Sequence, residues 1–389
     1  MSIESDAGER PDVTRIRRRL GAYRRLDPKH ARTMLPDYYT SQSFFELEKE
    51  RIFRQEWICV GHAGQIPTAG DYITTDLVDE PLLILRDQER RIRIFSNVCR
   101  HRANIVARGA GNARRFTCGY HAWTYGQDGR LLAAPYFEEC AEFRKRDFGL
   151  PALHSDTWNG LIFVNFSNQP RALRPSLQSL DPHIGNYHID DRRHLYHTEE
   201  VWHANWKCIA ENFMEGYHLS TLHAKSLHDM TPTALCEKIP ASEGFTAYKS
   251  HFDPKYPERG PFHPDLTPAE RRYSVLFCAY PALLVGVAPN ATVYLCLRPL
   301  SATSTAIGWG VTAVGHDQDN KLKEGYLDQL KTAFLEDRRE LEMVQMGTKS
   351  RFYDHGPLAS NDLEGTVWDM TQYMASRLGT DGDASPGDR

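Results

Sequence analysis

The segment Asn97–Trp123, NVCRHRANIVARGAGNARRFTCGYHAW, carries the strongest signal in this chain. It contains two short motifs, Cys99-x-His101 and Cys118-x-x-His121, and 16 residues separate them. Each motif combines one thiol with one imidazole. Cysteine and histidine at such short spacing are typical of metal sites, so we interpret the four side chains as ligands of one metal centre.

Two cysteines and two histidines suit a [2Fe–2S] cluster of the Rieske type, in which two thiolates bind one iron and two imidazoles bind the other. Neutral imidazoles in place of thiolates reduce the negative charge of the cluster and raise its reduction potential. The main alternative is a structural zinc site with the same ligand types. Zinc fingers usually place their two cysteines together and their two histidines together, whereas here the two types are interleaved, which favours the cluster.

The composition excludes several classes of protein. The chain has 389 residues, which suggests two domains, and a net charge of −4, which offers no large basic surface to nucleic acid. The Arg-rich segment at 15–25 is better explained as a helix face or a subunit contact. We see neither an apolar run of membrane-spanning length nor a signal peptide. The cysteines outside the two motifs show no disulfide framework, so we expect reduced thiols and a cytoplasmic location.

Hydrophobic patterns divide the chain into two folded parts. Between Ile58 and Tyr125, short β-rich runs bounded by Gly, Pro and Asp predict a small antiparallel domain with both Cys/His motifs at its tip. After Glu200, strands near 275–312 followed by one long helix predict a domain in which the helix packs on a sheet. The predicted fold class is therefore α+β.

The same patterns give the expected domain boundaries. The small domain, which would hold the [2Fe–2S] cluster, is expected at residues 45–155. The larger domain is expected at 156–389, together with a helical N-terminal segment at 13–44. Residues 1–12 are polar and residues 379–389 are of low complexity, so both ends are expected to be disordered.

A second candidate metal site lies in the segment Asn205–His223, NWKCIAENFMEGYHLSTLH. His218 and His223 could supply two ligands of a 2-His-1-carboxylate site, which leaves positions on Fe(II) open for O2 and substrate. A helix over 209–223 would place three side chains on one face: Glu211, Glu215 and His218. An uninterrupted helix would turn His223 away from His218, so we expect a bend if both bind one ion. An isolated histidine pair at this spacing is more often a surface feature.

The carboxylate ligand must come from another part of the chain. The predicted helix from about Leu322 to Met346 has an apolar stripe, formed by Tyr326, Leu330, Phe334, Leu341 and Val344. Asp337 lies inside this stripe, whereas Glu336 and Arg338 point off it. A buried carboxylate needs either a metal or a salt bridge to arginine, and the two histidines favour the metal. Weaker candidates lie in a predicted loop: Asp362 and Glu364.

These motifs resemble the large (α) subunit of Rieske non-heme iron aromatic-ring-hydroxylating oxygenases. The similarity begins near Phe53, runs through the segment YHAWTYGQDGRL, and resumes near residues 205 and 337. Two residues depart from the usual family pattern: Ala122 stands where Gly is usual, and Glu215 where Asp is usual. The Glu and a shorter preceding loop resemble the branch that oxidises carnitine and glycine betaine.

The resemblance implies a helix-grip catalytic domain, an iron site and an electron path. The two matching histidines of the family bind mononuclear iron, and the family's Glu-Asp-x(7)-Gln pattern makes Asp337 the third ligand. The family residue at the position of Glu215 bridges two subunits. Glu215 would therefore reach His218 of one chain, and its other partner would be a cluster histidine of the next chain, His121 or His101. This implies a head-to-tail homotrimer.

The function implied is that of a terminal oxygenase component. A reductase, with or without a ferredoxin, would deliver electrons from NAD(P)H, and O2 would be used to hydroxylate or N-demethylate a small organic substrate. A quaternary ammonium compound is the first candidate, and an aromatic ring or aromatic acid is the alternative. An electron-transfer protein without oxygenase activity is the alternative of another class. Aromatic residues of the second domain could form a cation-binding cage or simply its core: Phe245, Tyr248, Phe277, Tyr280, Tyr294 and Trp309.

Overall fold

The computed structural model of the chain describes residues 11–315 and 320–381. The disorder expected at 1–10 and 382–389 lies outside the described residues. Pro11 and Asp12, also expected to be disordered, instead begin a helix, since proline is tolerated in a first turn and an acidic residue is favourable there. The chain divides into two compact units: Arg54–Leu173 is one, and the residues before and after it form the other.

Short helices precede the first strand. They are α1 (Pro11–Tyr23), α2 (Asp37–Thr40) and α3 (Gln42–Glu48), and one π-helical turn, Lys49–Phe53, follows. Ser41 caps α3, because its side chain accepts a hydrogen bond of 3.1 Å from the N–H of Phe44. The cap starts α3 at a defined residue, and its apolar face is buried through Phe44 and Phe45.

The unit Arg54–Leu173 is built from antiparallel strands, as predicted. Its strands are β1 (Ile58–His62), β2 (Asp71–Leu77), β3 (Glu80–Arg86), β4 (Ile92–Ser96), β5 (Ala110–Asn112), β6 (Arg115–Thr117), β7 (Thr124–Gly126), β8 (Leu131–Ala133), β9 (His154–Trp158) and β10 (Leu161–Asn165). They form three sheets with the orders β4-β3-β2-β5, β6-β7-β8 and β1-β10-β9. This unit begins and ends later than the domain expected at 45–155. Its later end follows from the sheet β1-β10-β9, in which β10 pairs with both β1 and β9.

The other unit contains one large antiparallel sheet. Its elements after residue 172 are α4 (Leu173–Leu177), α5 (Asp181–Ile184), β11 (Arg193–Trp202), α6 (Trp206–Phe213), α7 (Leu219–Leu222), β12 (Cys236–Ile239), β13 (Phe245–His251), β14 (Tyr273–Ala279), β15 (Leu283–Val287), β16 (Ala291–Ser301), β17 (Ser304–Ala313), α8 (Asn320–Gly347) and α9 (Asn361–Leu378). The strand order is β11-β17-β16-β15-β14-β13-β12. A meander runs from β12 to β17, and β11 closes its far edge.

Helix α8 packs on this sheet, as predicted. Phe334 meets Trp309 of β17 edge to face, with ring centroids 5.0 Å apart. Val344 was predicted to belong to the buried stripe but is 49% exposed, and the buried position beside it is Gln345. The Gln345 side chain explains the difference, because its oxygen accepts from the N–H of Asn205 at 2.6 Å. Within the described residues, no helix is long and apolar enough to cross a membrane.

Helix α6, which leads to the second metal site, is held by a buried ion pair. Lys207 Nζ lies 2.5 Å from Glu48 Oε1, and both side chains are fully buried. The indole N–H of Trp206 donates to the other oxygen of Glu48 at 3.0 Å. Removing one partner of such a pair would leave an uncompensated buried charge, so α6 is fixed against α3.

Candidate active site and metal centres

His218 and His223 flank a single helical turn. The helix predicted over 209–223 is interrupted: α6 ends at Phe213, and α7 contains only Leu219–Leu222. The break brings His218 to the start of α7 and His223 to its end, which is the bend that the sequence required. Gly216 lies within the break, and a β-carbon there would collide with the side chain of the buried Cys236, so a larger residue would displace Cys236.

Asp337 from α8 completes a three-residue cluster. Its Oδ1 atom lies 3.1 Å from His223 Nε2 and 3.7 Å from His218 Nε2. Donor atoms of these three side chains all fall within 4.8 Å of one another. Two imidazoles and one carboxylate on one side of an ion are the ligand set of non-heme Fe(II) oxygenases. The side chains present therefore fit a mononuclear iron.

Two further carboxylates hold the histidine rings from behind. Glu215 Oε1 lies 2.5 Å from His218 Nδ1, and Glu336 Oε2 lies 2.8 Å from His223 Nδ1. An acceptor at Nδ1 places the ring proton there and leaves the Nε2 lone pair free for a metal. The sequence interpretation placed Glu336 off the buried stripe and gave it no function. The signals for it were its position next to Asp337 and its place as the first residue of the Glu-Asp-x(7)-Gln pattern.

The charges at this cluster favour bound cations. Burial disfavours the charged form of His223, but the carboxylates of Asp337 and Glu336 outweigh that effect and raise the pKa of His223. The amide of Asn212, at the end of α6, donates to Asp337 Oδ1 at 3.0 Å and fixes the orientation of the carboxylate. Sequence reasoning also missed Asn212, because nothing in its local pattern marks it.

Three other acidic residues do not join the cluster. Glu211 accepts hydrogen bonds from Tyr39 Oη at 2.9 and 3.0 Å, so it does not share a face with His218. The weaker ligand candidates lie in the first turn of α9 and not in a loop. Asp362 accepts from the N–H of Lys238, and Glu364 from the N–H of Ala359.

An apolar cavity of about 120 Å³ lies beside His218, His223 and Asp337. Four aromatic side chains line it: Phe213, Tyr248, Tyr326 and Phe334. In the part of the chain that the structure describes, no lysine, arginine or second carboxylate lines it. Of the six aromatic residues considered as a cation cage, Tyr248 alone reaches this cavity. The walls can therefore exclude water and contact a methyl group or a ring.

A second chamber of about 380 Å³ shares part of this wall, including Met230, Tyr326 and Leu330. Unlike the first, it has arginines in its lining, Arg259 and Arg271, together with the carboxylate of Glu258. The buried Nε of Arg271 has no hydrogen-bond partner among the described residues. The guanidinium of Arg271 lies over the ring of Phe262, with its central carbon 5.4 Å from the ring centroid, so its positive charge is held at the wall of this chamber.

The two Cys/His motifs form loops of the same construction. In one, the N–H of Cys99 donates to Asn104 O at 2.8 Å and Cys99 O accepts from Ala103 N–H at 3.1 Å. In the other, the N–H of Cys118 donates to Trp123 O at 2.8 Å, and Cys118 O accepts from the N–H of Ala122 at 3.0 Å. Both alanines have positive φ, 56° and 57°. The unequal spacing of the motifs, C-x-H and C-x-x-H, conceals this equivalence.

The thiols lie in the interior of the unit and the imidazoles lie nearer its surface. Cys99 and Cys118 are 3% and 2% exposed. Burial opposes ionisation of Cys118, but hydrogen bonds from the N–H of Tyr120 and the amide of Asn104 outweigh it and lower its pKa. The Tyr125 hydroxyl lies 3.3 Å from Cys99 Sγ and can donate to a thiolate. The environment therefore stabilises sulfur ligands.

The histidines of these motifs lie together. The rings of His101 and His121 have centroids 4.6 Å apart, and His101 stacks on Trp123 at 5.0 Å. Burial, with smaller effects of His121 and Arg102, lowers the pKa of His101, which favours the neutral form that binds metal. His101 Nδ1 is buried and has no hydrogen-bond partner among the described residues. Two imidazoles beside two thiols fit a Rieske cluster.

Comparison with known families agrees with both sites. Residues 184–380 match the family described as the ring hydroxylating alpha subunit (catalytic domain), and residues 56–144 match the Rieske [2Fe-2S] domain. The fold and the two sites define a Rieske non-heme iron oxygenase. More particularly, the chain belongs to the ring-hydroxylating oxygenase α-subunit family, whose catalytic domain spans half of its length. The α+β fold predicted from sequence is confirmed.

Three relatives show where the chain lies within this class. The carnitine monooxygenase oxygenase subunit of Escherichia coli (strain K12) is 26% identical over 337 residues, which cover 84% of this chain and 87% of that protein. The glycine betaine monooxygenase oxygenase subunit of Pseudomonas aeruginosa (strain UCBPP-PA14) is 32% identical over 199 residues, 51% of this chain and 46% of that protein. The quaternary ammonium Rieske monooxygenase CntA, solved with an inhibitor, superposes with a TM-score of 0.80 at 26% identity, covering 90% and 97% of the two chains.

Proposed function

We propose that this chain is the terminal oxygenase of a multicomponent system and acts on a small molecule that carries a quaternary ammonium group. The observation that carries the proposal is the cluster His218, His223 and Asp337, which faces an apolar cavity lined by aromatic rings. The similarity to carnitine and glycine betaine monooxygenase subunits supports the substrate class. As an oxygenase component, the chain requires a reductase as electron donor.

In this proposal Cys99, His101, Cys118 and His121 hold the [2Fe–2S] cluster. His218, His223 and Asp337 hold Fe(II). The cluster supplies electrons one at a time, and the iron supplies the site at which O2 is reduced. The protein contributes position, because Glu215 and Glu336 fix the two rings and Asn212 fixes the carboxylate.

The shape of the cavities suggests how a substrate lies. A trimethylammonium group would occupy the inner cavity, whose wall includes the aromatic rings of Phe213, Tyr248 and Phe334, and aromatic rings stabilise a desolvated cation. The second chamber, which shares Tyr326 with the first, offers Arg271 to a carboxylate. A zwitterion with both groups would place a carbon bonded to nitrogen near the three iron ligands. Hydroxylation of that carbon leads to C–N cleavage into an amine and a carbonyl compound.

We also propose that the active assembly is a head-to-tail homotrimer. Glu215 already accepts from His218, and its side chain is 13% exposed. The exposed part of the Glu215 side chain would contact the cluster histidine of a neighbouring chain, His121 or His101. Such a bridge would carry electrons from the cluster of one chain to the iron of the next.

Single-turnover experiments test the function without an identified reductase. The cluster is reduced stoichiometrically, and O2 is added with carnitine, glycine betaine, γ-butyrobetaine or an aromatic acid. The expected result is rapid cluster reoxidation and amine or formaldehyde release with one of the quaternary compounds. Reoxidation with the aromatic acid and with none of the quaternary compounds would instead assign the substrate to the aromatic class. Choline lacks the carboxylate, so it tests whether pairing with Arg271 contributes to substrate binding.

Two variants test the metal assignments. Asp337→Ala should keep the visible spectrum of the cluster but lose the mononuclear iron and all turnover. Cys99→Ser should lose the visible absorption and the EPR signal of the reduced cluster. Iron analysis separates the oxygenase from a pure electron-transfer protein, because a Rieske cluster alone gives two irons per chain and an oxygenase gives three.

A further inference from the structure

We infer that His188, His263 and Asp265 form a second metal site in the catalytic unit, for a divalent cation of the zinc type. Among the residues that the structure describes, two groups of three side chains bring histidine and carboxylate donors within 4.8 Å of one another. The first is the iron cluster at His218. The second is this one, and none of its members lines the cavity beside the iron ligands.

The three side chains come from two separate segments. His188 lies in the turn between α5 and β11, and its backbone is left-handed, with φ of 43°. His263 and Asp265 lie in the long connection from β13 to β14. The two rings stack with centroids 3.8 Å apart, and Asp265 Oδ2 lies 2.7 Å from His188 Nε2 and 3.8 Å from His263 Nδ1. One carboxylate therefore faces both imidazoles.

These donors are the ligands that zinc prefers. Zinc binds imidazole nitrogen and carboxylate oxygen at about 2.0–2.2 Å, which separates neighbouring ligand atoms by about 3.3 Å in a tetrahedral site. The observed 2.7 Å and 3.8 Å lie on either side of that value. To bind one ion, one imidazole would rotate out of the stack, and His263 Nδ1 would exchange the hydrogen bond that it accepts from the N–H of Asp265 at 3.3 Å for the ion. His188, His263 and Asp265 are 34%, 25% and 57% exposed at their side chains, so an ion can enter from solvent and water can complete the shell.

A fourth residue supports the assignment. Asp191 Oδ2 lies 3.8 Å from Nδ1 of His188, on the side of the ring opposite Asp265. Histidine ligands of zinc commonly have a carboxylate at the nitrogen that does not bind the metal. His188 thus has one carboxylate placed to share the ion and another placed to orient the ring.

A cation bound at this site would stabilise one wall of the second chamber. The connection that carries His263 and Asp265 also contributes Tyr256, Phe262 and Arg271 to that chamber. It already meets the segment of His188 through hydrogen bonds from Asn186 and Tyr187 to Glu270, at 3.0 Å each. A bound cation would add a further link between the same two segments, and residues 252–272 would open less often.

Zinc binding to the iron-loaded holoprotein tests the site. After gel filtration, wild type should retain one zinc per chain in addition to its iron, and Asp265→Asn and His263→Gln should lose that zinc. His251→Gln is the matched control, because His251 also pairs with a carboxylate, Glu237, at 2.8 Å but has no second histidine. The control should bind zinc as wild type does. Equal zinc in wild type and Asp265→Asn would overturn the assignment.

Hydrogen exchange gives a second readout that does not depend on activity. Zinc should slow exchange of amides in residues 252–272 of wild type and leave the His263→Gln variant unchanged. If that variant folds poorly, His188→Asn serves instead, because asparagine tolerates the left-handed backbone at this position. Zinc-dependent protection in either variant, or none in wild type, would show that the three side chains form only a hydrogen-bonded surface cluster.

Discussion

Glu336 and Asp337 hold opposite sides of the same imidazole. Glu336 Oε2 lies 2.8 Å from Nδ1 of His223, and Asp337 Oδ1 lies 3.1 Å from Nε2. The Ser226 hydroxyl donates to the same oxygen of Glu336 at 2.5 Å. Adjacent residues of one helix thus provide a candidate iron ligand and the acceptor that orients a second ligand.

We expect Glu336→Gln to weaken iron binding without changing the ligand set. Glutamine keeps the size of the side chain but loses the charge that favours a proton on Nδ1 of His223. Loss of such a partner typically lowers metal affinity by about 10–100-fold. Titration of Fe(II) into apoprotein with an intact cluster measures the effect. Glu340→Gln, on the exposed side of the same helix, is the control and should bind iron as wild type does.

Glu215 provides a prediction about electron transfer. It accepts from Nδ1 of His218 at 2.5 Å and from two backbone N–H groups, those of Tyr217 and His218. Glu215→Gln loaded at saturating Fe(II) should retain both metal centres, because no ligand is removed, although its affinity for iron should fall as in Glu336→Gln. Substrate-dependent reoxidation of the reduced cluster should slow by about 10–100-fold, since the bridge to the neighbouring chain is disturbed. Stopped-flow absorbance measures this rate.

Glu215→Asp separates this role from a structural one. Aspartate is the usual family residue, so this variant should retain most of the wild-type rate. A wild-type rate in Glu215→Gln would show that Glu215 only caps the turn before His218. Loss of iron from that variant would show that it acts on iron binding and not on electron transfer.

The candidate ligand residues could be proposed from the sequence, because the cysteines and histidines lie in short local motifs and Asp337 lies on an apolar stripe. Their supporting residues could not. Glu336 was correctly placed off the apolar stripe of α8, but its contact with His223 was not predicted, since periodicity locates the sheet and not a segment that approaches the helix from the side. Asn212 meets Asp337 across 125 residues of sequence, and nothing in the local pattern around Asn212 marks such a contact.

The helices and strands also divide into those that could be predicted from the sequence and those that could not. The long helix and the strands from β14 to β17 were predicted, because their apolar patterns are continuous. Helix α9 was not predicted, and Asp362 and Glu364 in its first turn were assigned to a loop, since Asn and Asp favour both turns and first helical turns. Strands β11, β12 and β13 were not predicted either, and β12 is short and lies at the sheet edge.

The two equivalent cluster loops predict a stabilising substitution. Ala103 and Ala122 have positive φ, where a β-carbon is unfavourable and glycine is not. Ala122→Gly, which restores the usual family residue, should raise stability by about 0.5–1 kcal/mol. The midpoint of thermal cluster loss, followed by visible absorbance, measures it. Ala133→Gly, in strand β8, is the control and should lower the midpoint, because glycine weakens a strand.

Glu211 predicts a pH dependence of stability. Burial raises the pKa of Glu211 to about 7, and the Glu364 carboxylate adds to this, although the Tyr39 hydroxyl and the Lys207 ammonium partly oppose it. The folded state therefore binds a proton more tightly than the unfolded chain, in which this carboxyl titrates near 4.5. The resulting stability is complete below pH 4.5 and is lost as the pH rises to about 7.

Glu211→Gln should remove this dependence, because the neutral amide cannot ionise. The unfolding free energy of wild type minus that of Glu211→Gln should then fall by up to about 3 kcal/mol between pH 4.5 and pH 8. Wild type is therefore relatively more stable at low pH. Guanidinium denaturation of the cluster-containing protein at several pH values measures this difference. A difference that stays constant, or one that grows as the pH rises, would mean that Glu211 is ionised in the folded protein and that the Lys207 charge outweighs burial.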